Sequence, residues 1–353
     1  MKYSIIVPVY NRPDEVDELL QSLTEQELKD FEVVIVEDGS QKPCKDVCDK
    51  FADILDLHYY VKENGGPGQA RNYGAERAHG EWLIILDSDV VLPKGYLKAV
   101  EDGLRGERRE ERGEFAAFGG PDASHPSFTP VQKAISYSMT SFFTTGGIRG
   151  GKKKLDKFYP RSFNMGIRRD VYQQLGGFSK MRFGEDIDFS YRIVEAGYNP
   201  QLIPDAWVWH KRRTDFRKFF RQVYNSGIAR INLEKRHPGT LKLVHLLPMV
   251  FTVGVIALIL IAAVARAMIH YDAPNWHTWY WICLLALSPI LFYSLIIFID
   301  SSIKNKSMKV GLLSVPAAFV QLMGYGFGFI ESWWKRCVMK KDEFQAFEKN
   351  FYK

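Results

Sequence analysis

Two aspartates one residue apart interrupt the apolar run EWLIILDSDVVLP, residues 81–93. A carboxylate is costly in such a segment unless it reaches water at a strand end or is paired with a positive charge. Asp87-Ser88-Asp89 offers oxygen-rich side chains that can hold a hard divalent cation while a substrate phosphate supplies further ligands. Such a cation neutralises charge on a departing diphosphate. A D-x-D alone recurs by chance, so a solvated turn is the competing reading. Glu185-Asp186 forms a second acidic pair, opening GEDIDFSYRIVEAGY. Taken alone, this pair suits the dipole at a helix N-terminus. Arg71 supplies a guanidinium able to grip phosphate oxygens bidentately, or simply a surface charge. Gly65, Gly66 and Gly68 permit close backbone approach just before it. His210 ends AWVWH, where a histidine serves structure as readily as chemistry.

These residues need elements to position them. YSIIVPVY, FEVVIVEDGS, HYYVKEN and EWLIILDSDV read as four strands. PDEVDELLQSLTEQ between the first two has Val16, Leu19, Leu20 and Leu23 at helical spacing, with Pro13 in its first turn. GPGQARNYGAERAHG is a glycine-opened helix. The alternation implies an α/β fold with a mostly parallel sheet, whose function lies at the carboxyl ends of its strands. Asn11, Glu37, Asp38, Asn64, Asp87 and Asp89 all fall at those ends. Further on, FAAFGGP reads as a strand and FNMGIRRDVYQQLGGF as a strand, helix and glycine stop. GEDIDFSYRIVEAGY is a helix and PQLIPDAWVWH a last strand. The glycine- and lysine-rich TTGGIRGGKKKLDKFYP reads as a loop.

The chain has 353 residues, a net charge of +6 and four cysteines. Cys44 and Cys48 have helical spacing without a following His or Cys pair, so reduced thiols are expected rather than a metal site. Residues 246–265, 275–299 and 310–330 carry no Asp, Glu, Lys or Arg, and each run approaches the ~20 residues that cross a bilayer. Basic clusters flank these runs, which favours an anionic membrane surface over nucleic acid as partner. The N-terminus has no signal-peptide pattern, so the first domain is expected on the cytoplasmic side of the inner (cytoplasmic) membrane in a multi-pass protein. The expected organisation is a domain over 1–210, an amphipathic interfacial segment over 211–242, a membrane region over 243–332 and a basic tail over 333–353. Spans are expected at about 246–265 and 278–299, with a third at about 310–330.

Together SIIVPVYNRP, VVIVEDGS, ENGGPGQARNYG, LDSDVVLP, NMGIRRDVYQQLGGF and GEDIDFSYRIVEAG resemble the family-2 glycosyltransferases of the GT-A fold, in that family's order, over residues 3–210. The resemblance implies a Rossmann-like catalytic domain that uses a nucleotide sugar, most simply a UDP-sugar, with Mg2+ or Mn2+. It places Pro8, Tyr10 and Asn11 near the nucleobase and Asp38 as its hydrogen-bond partner. Glu37 stands where the family more often has aspartate. Asn64, Arg71 and Asn72 match the segment approaching base and diphosphate. Asp87 and Ser88 would face the nucleotide sugar, and Asp89, Asp87 and His210 the metal. Asp186 matches the general base and Glu185 the acceptor-orienting acid. Gly119, Gly120 and Asn164 match the sugar and acceptor side. The Q-x-x-R-W motif of processive synthases is absent, because Gln222 is followed by Val223, Tyr224 and Asn225. Single transfer to a lipid-linked or glycan acceptor is therefore expected. A polyprenyl-phosphate acceptor and a non-catalytic sugar-nucleotide-binding scaffold are the alternatives.

Overall fold

The computed structural model describes residues 1–106, 114–123, 125, 127–146, 158–181, 183–211, 213–271, 274–344 and 346. Residues 147–157 of the expected glycine- and lysine-rich loop, and 347–353 of the basic tail, lie outside the described residues. The chain divides into two compact units, Met1–Pro126 with Lys153–Lys211, and Ser127–Lys152 with Arg212–Lys353.

Among the described residues the first unit holds ten strands: β1 (Tyr3–Val9), β2 (Phe31–Asp38), β3 (Leu57–Lys62), β4 (Trp82–Leu86), β5 (Val90–Val91), β6 (Ala117–Gly119), β7 (Asp122–Ala123), β8 (Asn164–Arg168), β9 (Gln201–Leu202) and β10 (Val208–His210). A seven-stranded sheet runs β3-β2-β1-β4-β8-β6-β9, and a three-stranded sheet runs β5-β10-β7. Strands β3, β2, β1 and β4 are mutually parallel, whereas β8 is antiparallel to both β4 and β6. All eight residues of β2 are buried, as expected for a strand covered on both faces. The expected single strand over 200–210 is divided. Gln201–Leu202 joins the large sheet and Val208–His210 the small one, with Pro204 and Asp205 in the turn between them.

Four helices precede residue 107: α1 (Pro13–Thr24), α2 (Lys45–Asp49), α3 (Pro67–Ala75) and α4 (Tyr96–Arg105). Helix α1 starts on Pro13, carries Asp14 and Glu15 in its first turn, and buries Val16, Leu19, Leu20 and Leu23. Helix α3 packs so closely on the sheet that a Cβ at Gly74 would lie 2.8 Å from the Ile6 side chain. Next come α5 (Pro130–Thr140) and α6 (Phe142–Thr145), which belong to the second unit, then α7 (Arg169–Gln174) and α8 (Glu185–Glu195) of the first. The sequence pattern assigned no element to 130–145. The apolar face of α5, with Ala134, Ile135, Tyr137 and Met139, packs among the C-terminal helices, so this segment departs from the expected continuous 1–210 domain.

The second unit continues with α9 (Phe216–Arg236), α10 (Leu247–His270), α11 (Trp276–Asn305) and α12 (Met308–Trp333). Three stretches, Leu243–His270, Trp276–Asn305 and Met308–Val338, are long and apolar enough to cross a membrane. Helix α9 covers the segment expected to be interfacial and runs against α12, burying Phe219, Val223, Ile228 and Ile231. The glycines that make the third apolar run look weak are what allow this contact. A Cβ at Gly227 would lie 2.8 Å from the Phe329 backbone nitrogen, and one at Gly328 would lie 2.8 Å from the Tyr224 carbonyl carbon. Small residues here let two backbones approach as only close helix pairs do. Gly328→Leu should therefore cost about 1–3 kcal/mol through overpacking, seen as a lower thermal midpoint in detergent. Gly254→Leu on α10 should leave that midpoint unchanged, because a Cβ there meets nothing within 4 Å.

Candidate active site

The site lies in the first unit, at the carboxyl end of β4. Asp87 is the first residue beyond that strand, and Asp89 stands in the same turn, one residue before β5. Antiparallel pairing sets His210 of β10 opposite Val90, and the Lys211 amide donates to the Asp89 carbonyl at 3.0 Å. This register delivers His210 to Asp89, with Nε2 3.2 Å from Oδ1. The Phe163 ring stacks on the imidazole at 4.9 Å and fixes its plane. Donor atoms of Asp87, Asp89 and His210 all lie within 4.8 Å of one another. His210 Nδ1 is buried and has no hydrogen-bond partner among the described residues. Two carboxylates, one imidazole and an unused ring nitrogen fit a Mg2+- or Mn2+-type ligand set.

Arg71 joins this turn to the second acidic pair. From α3 it donates to Asp87 Oδ1 at 2.7 Å and to Glu185 Oε1 at 2.8 Å. The guanidinium is 4% exposed and lies over the Phe178 ring. It is committed to two carboxylates and does not stand open to a diphosphate, because α3 and α8 converge on it. Gly68 makes the convergence possible, since a Cβ there would lie 3.3 Å from Glu185 Cγ.

Glu185 and Asp186 open α8 after Gly184, which has φ +84°, and both are buried. Their neighbours pull their proton affinities apart. Burial and the adjacent Asp186 charge push Glu185 up to about 7, with Arg71 only partly opposing. Burial also disfavours ionised Asp186, but the Arg161 guanidinium, with help from Arg71 and the Ile187 amide, outweighs it. Asp186 is thereby held below the usual carboxylate range. Arg161 Nε donates to Asp186 Oδ2 at 2.6 Å, and the Ile187 amide donates to Oδ1 at 2.9 Å. Sequence reasoning missed Arg161; its only signal was a cation two residues ahead of the FNMGIRR strand. Asp188 pairs instead with Arg192 on its own helix.

Several expected ligand residues act inside the protein. Glu37 is 1% exposed and accepts from the Ser40 hydroxyl, the Cys44 amide and the Tyr59 hydroxyl. Asp38 accepts from the Gly65 and Gly66 amides and from Lys62, so it ties β2 to the turn before α3. Asn64 donates to the Asp38 carbonyl. Asn11 has φ +56° and accepts from the Gln41 and Lys42 amides, joining the loops after β1 and β2. Asn72 is taken up by Tyr172 and the Phe178 backbone. Asn164 is 1% exposed, accepts from the Tyr96 hydroxyl and donates to the Ala206 carbonyl, so it braces the chain that leads to His210. Gly119 and Gly120 border the same contact, with Gly120 packed against the Ala206 carbonyl and the Asn164 amide. Pro8, Tyr10 and Ser88 are half-buried at the strand ends.

Comparison with known proteins meets this geometry from outside. Poly(ribitol-phosphate) beta-N-acetylglucosaminyltransferase TarS of Staphylococcus aureus is 39% identical over 102 residues, 28% of this chain. The chain thus spans only 18% of the length of that relative. Glycosyltransferase AglE of Haloferax volcanii is 26% identical over 240 residues, covering 65% of this chain and 73% of the relative. Among solved structures, the mannosyltransferase PcManGT of Pyrobaculum calidifontis, in complex with GDP-Man and Mn2+, superposes with a TM-score of 0.56 at 15% identity. That superposition covers 95% of this chain and 88% of the other, and shows a shared GT-A fold. Residues 4–176 match the family model described as glycosyl transferase family 2. By that match residues 4–176 carry a glycosyl transferase family 2 domain.

Proposed function

We propose that the protein is a membrane-anchored, metal-dependent, inverting glycosyltransferase. It moves one sugar from a nucleotide sugar, with a UDP-sugar the first to test, to a lipid-linked or glycan acceptor at the cytoplasmic face of the inner membrane. The observation that carries this reading is the continuous chain His210–Asp89, Asp87–Arg71–Glu185 and Asp186–Arg161, which sets a metal-type ligand set beside an oriented carboxylate. The mannosyltransferase with the same fold was solved with Mn2+, which supports the metal assignment. Pro8, Tyr10 and Asn11 border the nucleoside, with Asp38 and Asn64 shaping its floor. A divalent cation held by Asp87, Asp89 and His210 would neutralise the departing diphosphate. Asp186 takes the proton of the attacking acceptor hydroxyl, held in place by Arg161 and the Ile187 amide. Glu185 and Arg71 keep Asp87 and the base in register across the gap.

Asp186→Asn should lower kcat by about 10²–10⁴-fold while donor binding, followed by calorimetry, is retained. Unchanged turnover would reject the base assignment. Asp89→Asn should raise the half-saturating Mn2+ concentration by roughly 10–100-fold. Asp87→Asn should disturb metal dependence less and lower thermal stability more, because it leaves buried Arg71 with one charged partner fewer. A nucleotide-sugar screen against a membrane lipid extract, with and without EDTA, reads both.

The acid pair also predicts a pH dependence. Glu185, pushed up to about 7, gains a proton as pH falls through that value, and Arg71 then loses one charged partner. Asp186 stays ionised across the same window, because it is held low. Transfer should therefore fall as pH drops through about 7, and Glu185→Gln should remove that acid limb from the kcat profile.

A further inference from the structure

The third apolar helix is long enough to span a bilayer, but its packing within the second unit sets it at a different depth from the other two. Helices α10 and α11 form a hairpin closed by the turn near Tyr271 and Asn275, with Phe251 and Tyr293 side by side at 5.2 Å. The contacts of helix α12 with this hairpin lie toward its open end. Ser314 hydrogen-bonds Ser301 at 2.7 Å, and a Cβ at Gly311 would lie 2.8 Å from the Phe298 carbonyl. Phe319 then touches both Phe251 and Tyr293, at 5.6 and 5.8 Å.

Seven residues further on, a helix running alongside α10 would have advanced by about 10 Å and would meet α10 near Leu258. Gly326 meets Thr252 and Pro248 instead, and a Cβ there would lie 2.6 Å from the Pro248 carbonyl. Between Phe319 and Gly326, α12 therefore makes no progress along α10. It crosses the mouth of the hairpin.

Two further observations agree. Past that mouth the hairpin is bare and apolar, with Val253, Leu260 and Val264 on α10 and Leu285, Leu291 and Phe292 on α11 all more than half exposed. Past the mouth α10 carries no Asp, Glu, Lys or Arg as far as Ala265, and Arg266, one turn before His270, can reach the far headgroup layer. Helix α12 also shares its level with α9, through Gly227, Gly328 and the hydrogen bond from Tyr224 to Glu331. Helix α9 carries Arg217, Lys218, Arg221, Arg230, Lys235 and Arg236, which hydrocarbon does not admit.

We infer that α12 is a surface helix lying across the open end of an α10–α11 transmembrane hairpin, in the lipid headgroup layer. The chain enters the bilayer twice, and its C-terminal tail lies on the same side as α9. Lys304, Lys306, Lys309, Lys335 and Arg336 then all face one leaflet, where anionic headgroups hold them, against Arg266 alone over residues 266–277 at the far end. A three-span topology would put Lys335 and Arg336 on the opposite side. The inference rests on packing alone and is independent of the transfer reaction.

Native Cys337, exposed just beyond α12, is the probe. The full-length protein is labelled with a membrane-impermeant maleimide in right-side-out and in inverted membrane vesicles. Lys235→Cys marks the α9 side and Tyr271→Cys the far turn, each in a Cys337→Ser background, with His277→Cys as a second far-side marker. Cys337 should label in the vesicle orientation that labels Lys235→Cys, at several times its level in the other. Labelling of Cys337 together with Tyr271→Cys or His277→Cys would show that α12 spans, and would overturn the inference.

Discussion

The arrangement of the first unit depends on one buried guanidinium. Arg71 is almost fully removed from water and holds Asp87 and Glu185 at once. A charge in such a place is tolerated only because carboxylates from two other elements meet it in direct hydrogen bonds. The constraint works in both directions. Helix α3 must lie close enough to the sheet to aim Arg71, which Gly74 and Gly68 permit, and the N-terminus of α8 must reach back over it. The turn after β4 is held from one side by this bridge and from the other by His210, so its two aspartates cannot drift apart.

A division of labour between the two adjacent acids follows. Glu185 and Asp186 share a helix start and similar burial, yet different cations serve them. Arg71 splits its charge between two carboxylates, while among the described residues the Arg161 guanidinium hydrogen-bonds only Asp186. The same burial therefore leaves one acid near neutrality and the other firmly ionised. Adjacent titratable groups driven apart in this way are a recurring mark of sites that handle protons.

Much of this was legible in the sequence where local pattern and chemistry coincide. Parallel strands buried on both faces announce themselves as apolar runs, and YSIIVPV, FEVVIVED and WLIIL became β1, β2 and β4. The polar residues Asn11, Asp38, Asn64, Asp87 and Asp89 stand at the carboxyl ends of the parallel strands, as topology alone requires. Which of them point inward was not legible. Asn72 and Asn164 are the same residue type as Asn11 and Asn64, and only the tertiary neighbours Tyr172 and Tyr96 turn them into internal braces. Arg161 was invisible because its partner lies 25 residues away with no shared pattern. Helix α5 was missed because its apolar face answers helices α9, α11 and α12, which come far later in the chain. The glycines of the third apolar run read as weakness in one dimension and prove to be contact surface in three.

The strand pairing that brings His210 to Asp89 bears on how the site comes into being. The two acids of the triad and its imidazole are more than 100 residues apart in the chain, and they are joined through a three-stranded sheet of very short strands. Asn164, from the antiparallel part of the large sheet, steadies the approach to that small sheet by holding the Ala206 carbonyl. The ligand set is therefore complete only when the small sheet has paired. An emerging chain that has made its first four strands already displays the paired aspartates, but not the third ligand. Cation binding through all three residues would then report that the whole first unit has folded, and would draw the late-forming edge of the sheet into the same cooperative unit as its centre.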